Sequence, residues 1–311
     1  MALPNYASPL ERIWHYAYLV ICALIFLFLI APILVVIPLS FNAEPYFTFT
    51  PRMLALDPEG YSLRWYDKLL TFGMQNPDAP RDLSWWADVW ENSKWVNAAK
   101  NSFIIGIFAT ILATGFGTLA ALGLSRPEMP FRRAIMAILI SPMIVPIIIT
   151  ATGLFFFYSS IKISHWSIFG WEIPYLGIIL AHATLGIPFV IITVTATLVG
   201  FDQSLNRAAA NLGADPRTTF FRITMPLILP GVISGALFAF VTSFDEVVVV
   251  LFVGALDEQT IPRQMWNGIR EQISPAILSV ATILVVISVA LLTTVELLRR
   301  RSERLRGVTP G

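Results

Sequence analysis

Six stretches of this chain run for more than twenty residues on apolar side chains with few charges or none: residues 17–39, 102–124, 134–158, 175–199, 226–253 and 276–298. Each reaches the ~20 apolar residues that an α-helix needs to cross a ~30 Å hydrocarbon layer. The pattern predicts an all-α integral membrane protein with six transmembrane helices. The first stretch has the position of a signal peptide, but its apolar run is too long and no small-residue cleavage site follows it. It is read as a retained helix. The connecting residues 40–101 carry Pro45, Pro51, Pro58, Pro77 and Pro80 among scattered acids, too polar for a span and interrupted by turn formers. They read as a structured extension of a single membrane domain, 17–311, that follows a short N-terminal segment, 1–16. No internal repeat is evident.

Composition agrees. The 311 residues are 56% hydrophobic and 13% charged, with a mean hydropathy of +0.71, too little charge to cover a soluble domain of this length. The net charge of +1 provides no bulk attraction to nucleic acid. The single cysteine, Cys22, lies inside the first apolar run, which excludes a disulfide framework and a thiolate metal cluster.

Arginine placement orients the spans. The N-terminus, residues 125–133, residues 200–225 and the tail 299–311 together hold 12 of the 21 Lys and Arg residues against 5 acids. The short loops opposite, 159–174 and 254–275, hold 3 basic residues against 4 acids. The positive-inside rule predicts cytoplasmic N- and C-termini and an external loop 40–101. The tail arginines Arg299, Arg300, Arg301, Arg304 and Arg306 suit an anionic inner leaflet. Eight of the nine tryptophans (Trp65, Trp85, Trp86, Trp90, Trp95, Trp166, Trp171 and Trp266) fall on the external side, where half-wet indoles anchor at the interface. Short interfacial helices are expected there, for example around 84–95.

The loop 200–225 carries the most specific pattern. Arg207-Ala208-Ala209-Ala210-Asn211-Leu212-Gly213 is followed, after nine residues, by Ile223-Thr224-Met225-Pro226. Leu205–Leu212 favours helix, Gly213 and Pro216 stop it, and a second short segment over 218–224 leads into the fifth span. The expected result is a compact helix–turn–helix whose small face, Ala208, Ala209 and Ala210, admits close approach by a partner's groove. The segment resembles the coupling loop of permease subunits in binding-protein-dependent ABC importers: Glu-Ala-Ala, three residues, Gly, nine residues, Ile, any residue, Leu, Pro. Ala208, Ala209, Gly213, Ile223 and Pro226 fall in register. Arg207 replaces the Glu and Met225 the Leu, so a coupling salt bridge through an acid is not expected here.

Other stretches resemble the polyamine (spermidine and putrescine) branch of these permeases: Tyr61-Ser62-Leu63-Arg64-Trp65-Tyr66, Ser141-Pro142 with Val145-Pro146, Ser243-Phe244-Asp245-Glu246-Val247-Val248, Ile261-Pro262 and Ser274-Pro275. The resemblance implies a type I importer permease fold in the bacterial inner membrane. It also implies two ATP-binding subunits, a second homologous permease and a periplasmic solute-binding protein as partners. Permeases for other cationic or amine solutes share these words, so the solute stays open.

Two acids lie within the fifth stretch. On a continuous helix to Val253, Asp245 and Glu246 would sit ~12 Å below its outer end, where a carboxylate is costly unless it faces protein or water. Thr242 and Ser243 would share the face of Glu246. These acids are candidate counter-charges for an ammonium group in transit, with Phe244, Phe240 and Phe252 available for cation–π contacts; a helix–helix ion pair is the structural alternative. His182 in the fourth stretch is read as hydrogen-bonded to a neighbouring helix. Pro142, Pro146 and Pro188 break backbone hydrogen bonds at depth, which is tolerated in protein-buried or cavity-lining helices.

Three function classes compete for this sequence: permease subunit of an ABC importer, ion-coupled secondary carrier, and membrane enzyme. The chain has no second homologous half and none of the common catalytic or metal motifs. It lacks a phosphate-binding G-x-x-x-x-G-K-[ST] loop, so ATP would be bound by a partner, and no cofactor is expected.

Overall fold

The structure, a computed structural model, describes residues 8–305 apart from 127, 164–166, 169–170, 203 and 272–273. Trp166 and Arg306 therefore lie outside the described residues. In chain order the helices are α1 (Pro9–Leu39), α2 (Pro51–Leu54), α3 (Arg64–Thr71), α4 (Leu83–Asn92), α5 (Lys94–Leu124), α6 (Arg132–Ile144), α7 (Ile147–Ser160), α8 (Leu176–Val199), α9 (Ser204–Asn211), α10 (Pro216–Thr219), α11 (Met225–Asp245), α12 (Val248–Val253), α13 (Ile261–Glu271) and α14 (Ala276–Leu305). A two-residue pairing of Ser167–Ile168 with Trp171–Glu172 is the only sheet among the described residues. The protein is nearly all-helical, as the hydropathy pattern predicts.

Among the described residues, four helices are long and apolar enough to cross a membrane: α1, α5, α8 and the continuous run Pro216–Asp245. The pair α6 and α7 makes a fifth candidate, bent by 102° at Val145–Pro146. The third apolar stretch is thus two helices that part at Pro146, one of the prolines expected to interrupt its backbone hydrogen bonds. Pro146 lacks an N–H and forces the preceding residue out of the α region, and Val145 has ψ 135°. Within the described residues α14 is apolar over Ala276–Ala290.

The chain divides into two compact units, residues 1–89 with 268–311, and residues 90–267. In the first, α1 begins at Pro9, eight residues before the expected span, behind a capping box in which Ser8 and Glu11 exchange hydrogen bonds. Its apolar window has no buried residue, so its surface is left for lipid or another chain. Past its C-terminus, Ser40 Oγ lies 2.7 Å from the Tyr66 hydroxyl. The Trp65 indole donates to Asn42 O at 2.8 Å, and Ser279 Oγ donates to Ser40 O at 3.3 Å. Trp65 and Trp85 are buried and their indole nitrogens bonded to backbone. They are core rings and not the interfacial anchors that tryptophan distribution alone predicts; Trp86, Trp90 and Trp266 remain exposed.

In the second unit, α5, α8 and α11 pack on one another, and α12 packs on α7 and α8. α5 starts at Lys94 behind the Ser93 cap, so the connecting segment ends eight residues earlier than expected. The seam between α8 and α11 is made by small residues four apart on α11: Gly231, Gly235, Ala239 and Ser243. A Cβ on Gly235 would lie 2.8 Å from Val190 Cα and 2.5 Å from Thr193 Oγ1. Such spacing lets helix backbones approach closely, which is how membrane helices associate without a hydrophobic driving force.

Candidate functional site

Two regions hold the residues singled out by sequence. The first is the connection from α8 to α11. α9 is tied down by Asp202, whose carboxylate accepts from Ser204 N–H at 2.8 Å and Ser204 Oγ–H at 2.7 Å. It ends in a Schellman turn: Ala214 N–H donates to Ala209 O and Gly213 N–H to Ala210 O, both at 3.0 Å. Gly213 takes φ +83°, a left-handed conformation cheap only for glycine. Asp215 then caps the next helix, accepting from Thr218 N–H at 3.0 Å, with Pro216 at the first helical position.

Hydrogen bonds from Ser204 and Thr218 hold Asp202 and Asp215 below the usual carboxylate range. A lowered native pKa means that both caps are intact above the ordinary carboxylate pKa and are lost as pH falls through the lowered value.

Two expectations about this segment are corrected. Pro216 starts a helix here, because its fixed φ suits a first turn. α10 and a π-helical turn, Phe220–Thr224, run without a break into α11, so 218–224 is the first part of one 30-residue helix, Pro216–Asp245. The supposed open alanine face is also divided. Ala209 is buried within the chain, where α9 packs on α10 and the π turn, while Arg207, Ala208, Ala210 and Asn211 are exposed. Thr224 Oγ1 donates to Asn206 Oδ1 at 3.2 Å across this contact. Ile223 is half-buried and Pro226 exposed. Leu212 and Phe221, 88% and 69% exposed, stand out as apolar residues without cover.

The second region is the far end of α11. The helix does not continue to Val253 as expected. It ends at Asp245, Glu246 turns extended (φ −75°, ψ 126°), and α12 restarts at Val248. No Gly or Pro marks this break; Glu246 makes it, because its buried side chain folds back to cap α12, Oε1 accepting Val249 N–H at 2.9 Å. Glu246 thus does not share a helical face with Thr242 and Ser243. Asp245 is exposed and has no ion pair among the described residues. The two adjacent acids therefore have different surroundings. Thr242 is half-buried.

Near the end of α11, Phe244 and Phe240 stack at 5.5 Å between centroids, and Phe103 of α5 meets Phe244 edge-on at 5.3 Å. Aromatic faces of this kind can attract an organic cation. Phe103 was missed by sequence reading, since nothing local connects it to α11. His182, 1% exposed, has Nδ1 2.7 Å from Ser243 Oγ, which joins α8 to α11 as expected. Its Nε2 has no partner among the described residues.

With this geometry in hand, comparison with known proteins is informative. Residues 113–306 match the family described as "Binding-protein-dependent transport system inner membrane component". The spermidine/putrescine transport system permease protein PotC of Haemophilus influenzae is 30% identical over 281 residues, 90% of this chain and 95% of that protein. The putrescine transport system permease protein PotI of Escherichia coli K12 is 29% identical over 98% of this chain and 97% of its own length. Among solved structures, a bacterial ABC transporter that imports the acidic polysaccharide alginate superposes with a TM-score of 0.64 at 17% identity, covering 94% of this chain and 98% of that one.

Proposed function

Because this chain belongs to the family of binding-protein-dependent transport system inner membrane components, we propose that it forms half of the translocation pathway of a polyamine importer, for solutes such as putrescine or spermidine. It is a multi-pass transporter permease subunit of the inner membrane and not an enzyme, and it works with ATP-binding and solute-binding partners. The observation that carries the polyamine reading is similarity to polyamine permeases along nearly the whole chain. The exposed Asp245 at the end of α11, with no ion pair among the described residues, supports it, since a polyamine is a flexible organic cation. In the full assembly, two ATP-binding subunits and a second, homologous permease complete the machine, with a periplasmic binding protein delivering solute.

The helix from Pro216 to Asp245 suggests how force is delivered. At 1.5 Å per residue its 30 residues span ~45 Å. A push on α9 and α10 by closing ATPase subunits reaches the Asp245 end along one continuous helix, and the break at Glu246–Val247 takes up the movement. The π turn near the start is the kind of irregularity often found where a helix must adjust.

Two substitutions separate docking from internal packing. Ala208→Trp places bulk on the exposed face and is expected to lower uptake and ATPase co-purification while the chain inserts normally. Ala209→Trp fills a site occupied by the chain itself and should reduce folded protein. Equal behaviour of the two would contradict this division of the face. Orientation is tested by cysteine labelling in a Cys22→Ser background: position 257 should react in intact cells and position 215 only after permeabilisation. The whole reading is tested by purification in mild detergent, in which an ATPase chain should co-elute.

A further inference from the structure

The six residues of α12 are fastened at both ends by charged side chains from outside the helix. Glu246 caps the N-terminus through Val249 N–H. Beyond the C-terminus, Arg263, 6% exposed, directs Nη1 to Ala255 O at 2.7 Å and Gly254 O at 3.3 Å, with Glu258 O at 3.5 Å. Among the described residues no carboxylate lies within ion-pair distance of this guanidinium; Glu258 and Asp257 act on it from farther off, and its direct partners are the carbonyls that follow α12. A guanidinium keeps its proton even when buried, so it cannot leave this cage without another set of acceptors.

The glycine at the helix end belongs to the same arrangement. A Cβ on Gly254 would lie 2.9 Å from Arg263 Nη1 and 2.8 Å from Val250 O. Between the two caps, Val249 and Val250 are fully buried. Val249 sits in a cluster with Ala151 of α7, and Val250 in one with Ile105 of α5 and Ile178 of α8. The segment that bears Arg263 is itself anchored: Ile261 N–H donates to Ser102 Oγ at 2.8 Å, and Asn101 Nδ2 to Gln259 O at 2.9 Å. A chain of polar contacts thus links the outer part of α5, through Arg263, to the end of α12.

We propose that Arg263 is a positioning residue for translocation: by gripping the carbonyls that follow α12 it makes this short helix move as one rigid piece, with motion confined to the Glu246–Val247 break. It touches no solute. Without the grip, α12 is no longer held to the segment that bears Arg263, the pathway is no longer reset with each ATPase cycle, and ATP is spent with little solute moved. α5, α8 and α11 keep their packing, since none of their seam residues depends on Arg263.

The test uses the complete transporter in proteoliposomes with Arg263→Gln, Gly254→Ala and Arg263→Lys. ATP hydrolysed per solute imported is measured, together with thiol labelling at Val247→Cys in a Cys22→Ser background. Arg263→Gln and Gly254→Ala should each lower putrescine or spermidine uptake about tenfold with ATP hydrolysis retained, as expected when a conformational step limits turnover. Labelling at 247 should accelerate in both. Arg263→Lys, still able to donate to a carbonyl, should recover much of the uptake. Normal uptake in both disabling variants overturns the proposal, as does loss of uptake merely in step with loss of assembled protein. If Arg263→Gln fails to assemble, Gly254→Ala, which retains the arginine, decides. The inference rests on the importer reading. If the unsubstituted complex imports neither polyamine, that reading fails; if it imports and the variants match it, only the role of Arg263 fails.

Discussion

Gly235→Ala removes much of the folded protein from the membrane, whereas Gly115→Ala leaves its level unchanged. Both glycines lie within membrane-spanning helices, and composition does not distinguish them. At Gly235 an added methyl would meet the Cα of Val190 at 2.8 Å and Thr193 Oγ1 at 2.5 Å. The threonine hydroxyl can turn away, although it would give up its bonds to Phe189 O and Val190 O, 3.0 and 3.1 Å long. The backbone of α8 cannot, so α8 and α11 must separate. Overpacking of this kind costs ~1–3 kcal/mol, and the seam below and above would loosen with it. At Gly115 nothing lies within 4 Å of the added atom. Thermal unfolding of the two variants in detergent, with quantified membrane abundance, is the measurement. Equal stability of the two would mean that α8 and α11 do not pack as described.

Asp245→Asn lowers uptake about tenfold, equivalent to ~1.4 kcal/mol, at normal abundance. Asp245 is exposed and has no ion pair among the described residues, so its amide breaks no buried pair and folding has no reason to suffer. Glu246 behaves otherwise. Glu246→Gln retains an oxygen to accept Val249 N–H and should keep both abundance and most uptake. Glu246→Ala removes the cap, which costs ~1 kcal/mol in typical helices, and should lower the amount of folded protein. Uptake assays alongside immunodetection separate these outcomes. Normal transport by Asp245→Asn would place the cation contacts elsewhere, in Phe-lined surfaces or in the partner permease.

Much of the architecture was legible because a bilayer imposes a long, simple signal. The helices α1, α5 and α8 coincide with apolar runs, and the 102° bend between α6 and α7 falls at a proline whose backbone chemistry announces it. The turn after α9 was equally legible, since Gly213 is the residue that a left-handed helix end requires. The break after Asp245 was not. Asp-Glu-Val-Val-Val contains no backbone breaker, and it is the long-range burial of Glu246 that lets its carboxylate replace α11's next turn with a cap on α12. Ala209 was misread for a related reason: alanines on a short helix look alike in sequence, and only the packing of α9 on α10 and the π turn decides which one is covered.

The seam on α11 shows the opposite failure. Gly231, Gly235, Ala239 and Ser243 recur every fourth residue in plain view, but hydropathy hardly registers small residues, so their role emerges only when Val190 and Thr193 are found against them. Arg263 and Phe103 have no local signature at all. Their partners lie on segments distant in sequence.

The most direct test reconstitutes the complete transporter in proteoliposomes, with the binding protein on the side that receives solute and labelled putrescine or spermidine as cargo. The account predicts accumulation that requires ATP and the ATPase subunits and falls sharply with Asp245→Asn. Accumulation of a neutral or anionic solute under the same conditions, with neither polyamine transported, would contradict it.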